Sequence, residues 1–133
     1  MIVRRLEELD PAQHQVVKGE TWVSRRLLLA GDGCGFSLHD TKLGAGTRTT
    51  MHYKNHVEAV YCVGGKGHIE DLESGEIHPI SIGTMYCLNG HERHVLVAEE
   101  ELHMVCVFNP PVVGPETHGP DGAYPLLTVD DAS

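Results

Sequence analysis

The chain has 133 residues, 41% of them hydrophobic, with 10 basic and 19 acidic side chains and a formal charge of -9. That suits one domain with a real core and no need of disulfides, and it excludes the basic surface that nucleic acid demands. No apolar run approaches the roughly 20 residues of a membrane-spanning helix. The N-terminus alternates apolar and charged residues instead of building a signal sequence's apolar core, so the default location is the cytoplasm, with no membrane partner.

Along the chain, helical periodicity is nearly absent. Strands are predicted at 22–30, 35–43, 57–63, 68–72, 77–82, 84–88, 94–98 and 102–108. Between them lie the turn signals Gly31-Asp32-Gly33, Gly44-Ala45-Gly46, Gly64-Gly65-Lys66-Gly67, Ser74-Gly75 and Asn89-Gly90. Many short strands at this spacing give an all-β sandwich or barrel, in a single domain over 1–133. After Phe108 the prolines and glycines of 110–126 end regular structure and form a loop-rich tail placed to cover the barrel mouth as a lid. The acidic end, 130–133, is expected to fray. Cys34, Cys62, Cys87 and Cys106 have no metal-ribbon or redox-motif spacing and are expected as free, buried thiols.

Ten histidines raise the prior on a metal site without locating one. Spacing is more informative. Gly46 is followed by His52, Tyr53, Lys54, Glu58 and Gly65, over 46–65. Gly75 is followed by Ser81, Gly83 and Tyr86, and His94 closes the second region, 75–94. These intervals resemble the two cupin signatures, which imply a jelly-roll barrel. Lys54 replaces the usual second histidine, Tyr86 the third, and Ser81 a proline. A lysine ammonium has no free lone pair, whereas a tyrosine can ligate a cation as phenolate. Period-2 alternation turns Glu58 inward with Val60 and Cys62, and Tyr86 inward with Thr84 and Leu88. Glu58, Tyr86 and His94 would together give mixed oxygen and nitrogen ligation, suited to iron(II) or a similar divalent ion, with positions left open for substrate. The plain alternatives are a core aromatic at Tyr86, a turn residue at His94, and a carboxylate at Glu58 paired with Lys54 or an arginine.

Longer blocks resemble the ectoine synthase family. They include Met1-Ile2-Val3-Arg4, Gly35-Phe36-Ser37-Leu38-His39, His52-Tyr53-Lys54-Asn55-His56, Glu58-Ala59-Val60-Tyr61-Cys62, Val105-Cys106-Val107-Phe108-Asn109-Pro110-Pro111 and Asp121-Gly122-Ala123-Tyr124-Pro125-Leu126. The resemblance is collinear to about Leu126. It implies a lyase that closes the ring of N4-acetyl-L-2,4-diaminobutanoate to ectoine with loss of water. It puts the metal ligands on Glu58, Tyr86 and His94, with iron(II) the implied metal and zinc, cobalt or manganese compatible with the same donors. It implies a homodimer.

By the same pattern the pocket wall falls on Trp22, Ser24, Arg26, Thr41, Tyr53, Cys106, Phe108, Glu116 and His118. Tyr53, Glu116 and His118 are the candidate catalytic residues. Arg26 is expected to hold the substrate carboxylate, Glu116 to hold the α-ammonium or take its proton, and His118 to orient Glu116 or return a proton to the departing oxygen. Thr50, Met51, Gly44, Gly64 and Lys66 depart from the family pattern at the barrel rim. A different cupin enzyme, such as an isomerase or dioxygenase, and a non-catalytic small-molecule-binding cupin share the fold and remain alternatives.

Overall fold

The structure, a computed structural model, describes residues 1–127; the predicted frayed end at 130–133 lies outside the described residues. Among the described residues ten strands form: β1 Val16–Lys18, β2 Trp22–Leu28, β3 Ser37–Leu43, β4 Arg48–Met51, β5 Val57–Gly64, β6 Gly67–Asp71, β7 Ile77–Ile80, β8 Met85–Cys87, β9 His94–Ala98 and β10 Leu102–Asn109. One sheet has six strands in the order β1-β2-β3-β10-β5-β8, the other four in the order β4-β9-β6-β7. Every ladder is antiparallel. The result is an all-β jelly roll whose core lies between the two sheets.

Alternation sets which residues reach that core. Along β10, Leu102, Met104, Cys106 and Phe108 are buried and the residues between them are not. Along β5, Glu58, Val60 and Cys62 are buried, as period 2 requires. Burying each large apolar side chain stabilises the fold by about 1.5–3 kcal/mol.

Two strands were not foreseen. β1 is only three residues long, and β4 reads Arg-Thr-Thr-Met, with no apolar alternation to mark it. β2 stops at Leu28 because Ala30–Asp32 coils into a 3-10 turn capped by Gly33. β3 starts at Ser37 because Gly35 takes a φ of 82°. All four cysteines are free, but only Cys62 and Cys106 are buried. Cys87 is exposed because it alternates with Tyr86, which faces in.

Candidate active site

A small cavity sits between the sheets. Of the residues foreseen for the pocket and metal site, Trp22, Thr41, Tyr53, Glu58, Tyr86, Cys106, Phe108 and His118 line it. Its volume, about 30 Å³, holds little more than water. Trp22 and His118 also line an outer groove of about 660 Å³, so their rings, with centroids 5.1 Å apart, stand between groove and cavity.

Glu58 projects from β5, and Tyr86 from β8 lies beside Val60 in the ladder. Burial pushes the Glu58 carboxyl up to about 8. Burial, then the charge of Glu58, pushes the Tyr86 phenol well above its usual range; both side chains line this cavity. The Cys106 thiol is raised by burial and also feels Glu58.

His94, wholly buried at the start of β9, is not on this cavity wall; it shares a second cavity with Tyr86. Its Nδ1 lies 2.9 Å from the Glu92 carbonyl, which can only accept, so Nδ1 carries the hydrogen. Burial lowers the imidazole pKa and keeps the ring neutral. Nε2 therefore presents a lone pair, and it has no hydrogen-bond partner among the described residues.

In donor type these groups suit a divalent cation; Tyr86 borders both cavities, Glu58 the first and His94 the second. A histidine ligand held by Nδ1–H to a carbonyl, with Nε2 left over, is the usual arrangement at metal sites, and a buried carboxyl with no ion-pair partner exchanges its proton readily for a cation. No three His, Cys, Asp or Glu side chains converge to hold an ion among the described residues, so a site of this kind depends on the Tyr86 oxygen as third donor. Lys54 stands where the cupin signature has its second histidine. It pairs instead with Asp121, Nζ to Oδ2 2.6 Å, and among the described residues neither it nor any arginine forms an ion pair with Glu58.

Tyr53 and His118 form a polar pair on the wall, Oη to Nε2 2.5 Å. Tyr53 has one hydroxyl hydrogen, and its other neighbour, the Met51 sulfur at 3.4 Å, is a weak acceptor. Tyr53 therefore donates to His118. Burial, then the charge of Arg26, lowers His118 to about 4, so it is neutral at pH 7 and ready to accept.

Three expected wall residues do other work. Arg26 is wholly buried and does not line the cavity. Its guanidinium donates to the carbonyls of Gly114 and Glu116, to Ser24 Oγ and to Tyr124 Oη. Through the bonds to Gly114, Glu116 and Tyr124, Arg26 anchors the tail. Glu116 is also buried off the wall, and its oxygens accept from the N–H groups of Val113 (2.6 Å) and Gly114 (2.7 Å). Both oxygens thus brace its own loop, and His118 is bonded to Tyr53 and not to Glu116. Ser24 is buried behind the wall, between Arg26 and His39.

Segment 110–126 thus becomes a strap. It is tied to β2 through Arg26, and to the loop after β4 through His52 N to Gly122 O, Asn55 Nδ2 to Tyr124 O and the Lys54–Asp121 pair. Tyr124 from this strap and His39 from β3 also line the cavity. Both sit in blocks that carried the family resemblance, but neither occupies a signature spacing. His39 bonds Ser24 Oγ through Nδ1 (3.2 Å) and Ser37 Oγ through Nε2 (3.0 Å).

The sequence profile described as ectoine synthase matches residues 1–128. The chain belongs to the ectoine synthase family. An L-ectoine synthase of Desulfatibacillum aliphaticivorans is 58% identical over 129 residues, 96% of this chain and 98% of that protein. A crystal structure of ectoine synthase from P. lautus, 55% identical, superposes with TM-score 0.84 over 96% of this chain and 91% of that one. A cupin domain of a transcriptional regulator from Enterobacter cloacae, 16% identical, superposes with TM-score 0.56 over 69% of this chain and 99% of its own, which shows the cupin-type fold alone. As a member of the ectoine synthase family the chain is an enzyme, a lyase of the hydro-lyase type.

Proposed function

We propose that this enzyme forms L-ectoine from N4-acetyl-L-2,4-diaminobutanoate: the free α-amine attacks the acetamido carbonyl carbon, and the carbonyl oxygen leaves as water. Glu58, Tyr86 and His94 would hold a divalent cation, iron(II) by family resemblance. That cation, when bound, supplies Lewis acidity toward the acetamido carbonyl. The observation that carries this reading is the buried, neutral, partnerless Nε2 of His94 on a ring already oriented by Glu92.

The chain's own residues do the rest. Trp22, Phe108 and Tyr124 form an apolar wall that excludes water, which would otherwise favour loss of the acetyl group. Confinement brings amine and carbonyl of one molecule together, an orientation effect worth several orders of magnitude. Neutral His118 can take a proton from the attacking amine at Nε2 once Tyr53 turns its hydroxyl to the departing oxygen, so the pair moves protons without net charge. With the Arg26 N–H groups engaged by the strap, the substrate carboxylate is directed to the groove beyond Trp22 and His118, where Lys18 stands. The cavity is far below the roughly 300–1,000 Å³ of ligand pockets, so the strap acts as a lid that moves to admit substrate.

The same reading makes the enzyme a cytoplasmic homodimer. The exposed Tyr61 and Met85, paired across β5 and β8, and the nearby exposed Val63 supply an apolar face for a second copy. Light scattering on the purified protein checks that state. The function is tested by giving the iron(II)-loaded protein the acetylated diamino acid and following ectoine by chromatography. Ectoine that appears with metal and vanishes with chelator supports the reading. A folded, metal-loaded protein that forms none rejects it.

A further inference from the structure

Tyr86 lines both inner cavities, and the second differs from the first in character. It has a volume of about 170 Å³, and its polar lining comprises Asp71, His78, Tyr86, Glu92 and His94. Two of its side chains carry buried polar atoms without partners, Glu92 Oε2 and His94 Nε2. Glu92 Oε1 accepts from Gly90 N at 2.9 Å, which fixes the carboxylate and leaves its other oxygen over. Asp71 is similar: the N–H groups of Glu73 and Ser74 both bond to Oδ1. His78 is exposed, and its Nε2 lies 3.3 Å from Glu76. The cavity therefore offers two fixed carboxylates at its side and the free His94 nitrogen among its buried atoms.

The other approach is unlike this. The outer groove carries Lys18 and Glu20, with Arg48 already paired to Glu70 (3.1 and 3.2 Å), and ends at the Trp22–His118 rings. It offers a cation one carboxylate, Glu20, beside the ammonium of Lys18, against two fixed carboxylates in the cavity beside Tyr86. We propose that the cavity beside Tyr86 is a separate loading route for the divalent cation, with Asp71 and Glu92 as transient carboxylate contacts on the way to His94, Tyr86 and Glu58. The inference rests on the metal reading above. Glu58, the carboxylate ligand in that reading, lines the first cavity and not this one, so this cavity is a passage and not the resting site. Fixed charges at a low-dielectric opening concentrate counter-ions and raise association rates by about 10–1,000-fold.

The test uses full-length protein stripped with chelator and mixed with cobalt(II) in a stopped-flow instrument, read by visible absorbance. Asp71→Asn and Glu92→Gln each keep an acceptor oxygen for the turn N–H groups while removing the charge. The double variant should load on the order of tenfold more slowly, with less salt dependence than the wild type. Its dissociation should slow by the same factor, leaving affinity and stoichiometry unchanged. An unchanged loading rate overturns the route. Weaker affinity with an unchanged loading rate also overturns it, because the carboxylates would then belong to the resting site. Tyr86→Phe separates the two claims: a variant that binds cobalt like the wild type removes the ligand assignment itself, whatever the loading rates. A wild type that takes up no cobalt overturns both.

Discussion

His94 is held by one nitrogen only, and the other is buried without a partner. Leaving such an atom unpaired costs about 1–3 kcal/mol, which a ligand at Nε2 would recover. Tyr86→Phe keeps the ring that packs against the core and removes only the proposed donor oxygen. It should lower bound metal and turnover together, measured by elemental analysis and ectoine formation; full metal and full turnover would sink the assignment. Tyr53→Phe separates chemistry from metal. It removes the hydroxyl bonded to His118, so kcat should fall by about 10²–10⁴ while metal content stays at the wild-type level. His39 is a different case. Its two nitrogens bridge Ser24 and Ser37, and Ser37 Oγ also accepts from Val112 N. His39→Leu should destabilise the protein by about 1–3 kcal/mol, seen in urea denaturation, because both serines lose a buried partner.

At the scale of the element, the strap has no regular secondary structure among its described residues, so its position depends on discrete anchors. Arg26 binds carbonyls 88 and 90 residues away. Arg26→Lys keeps the charge but loses the planar fork. The strap should then become sensitive to limited proteolysis between 110 and 126 under conditions where the barrel stays intact; a cleavage pattern like the wild type's would show that the remaining ties suffice. The turn between β5 and β6 is constrained differently. Gly65 has a φ of 87°, and an added Cβ would lie 2.0 Å from the Glu101 carbonyl. Gly65→Ala should cost roughly 1–3 kcal/mol or more from strain and overpacking, lowering Tm by several degrees in a thermal scan. The signature glycine at this position is required by that close approach of β10's leading turn.

Over the whole molecule, the N-terminal segment is fastened to the barrel by Arg4, which bonds both Asp32 oxygens (2.8 and 2.9 Å) and the Leu27 carbonyl. The Arg4 guanidinium holds the Asp32 carboxyl below its ordinary range, with help from Leu29 N–H. A depressed carboxyl contributes its stability in full above the unfolded value, about 3.9, and loses it as pH falls through the lower folded value. The Tm difference between the wild type and Asp32→Asn should therefore be constant near neutrality and shrink below about pH 4. A gap that persists unchanged at pH 2 would mean that the carboxylate charge contributes nothing.

The alternation of β5 and β10 was written in the sequence, because a strand's side chains change face at every residue whatever lies around them. That alone turned Glu58 inward with Val60 and Cys62, and the two signature spacings set Glu58 and Tyr86 on strands of one barrel. The family resemblance was equally legible, since it rests on residue identity along the line of the chain. β4 escaped notice because Arg48-Thr49-Thr50-Met51 is held by its ladder with β9 and by no pattern of its own. The duties of Arg26, Glu116 and His39 were decided only by the tertiary structure. Buried donors and acceptors must find partners, and which partners they find depends on how a proline- and glycine-rich segment folds back over the barrel, an arrangement that no local pattern encodes.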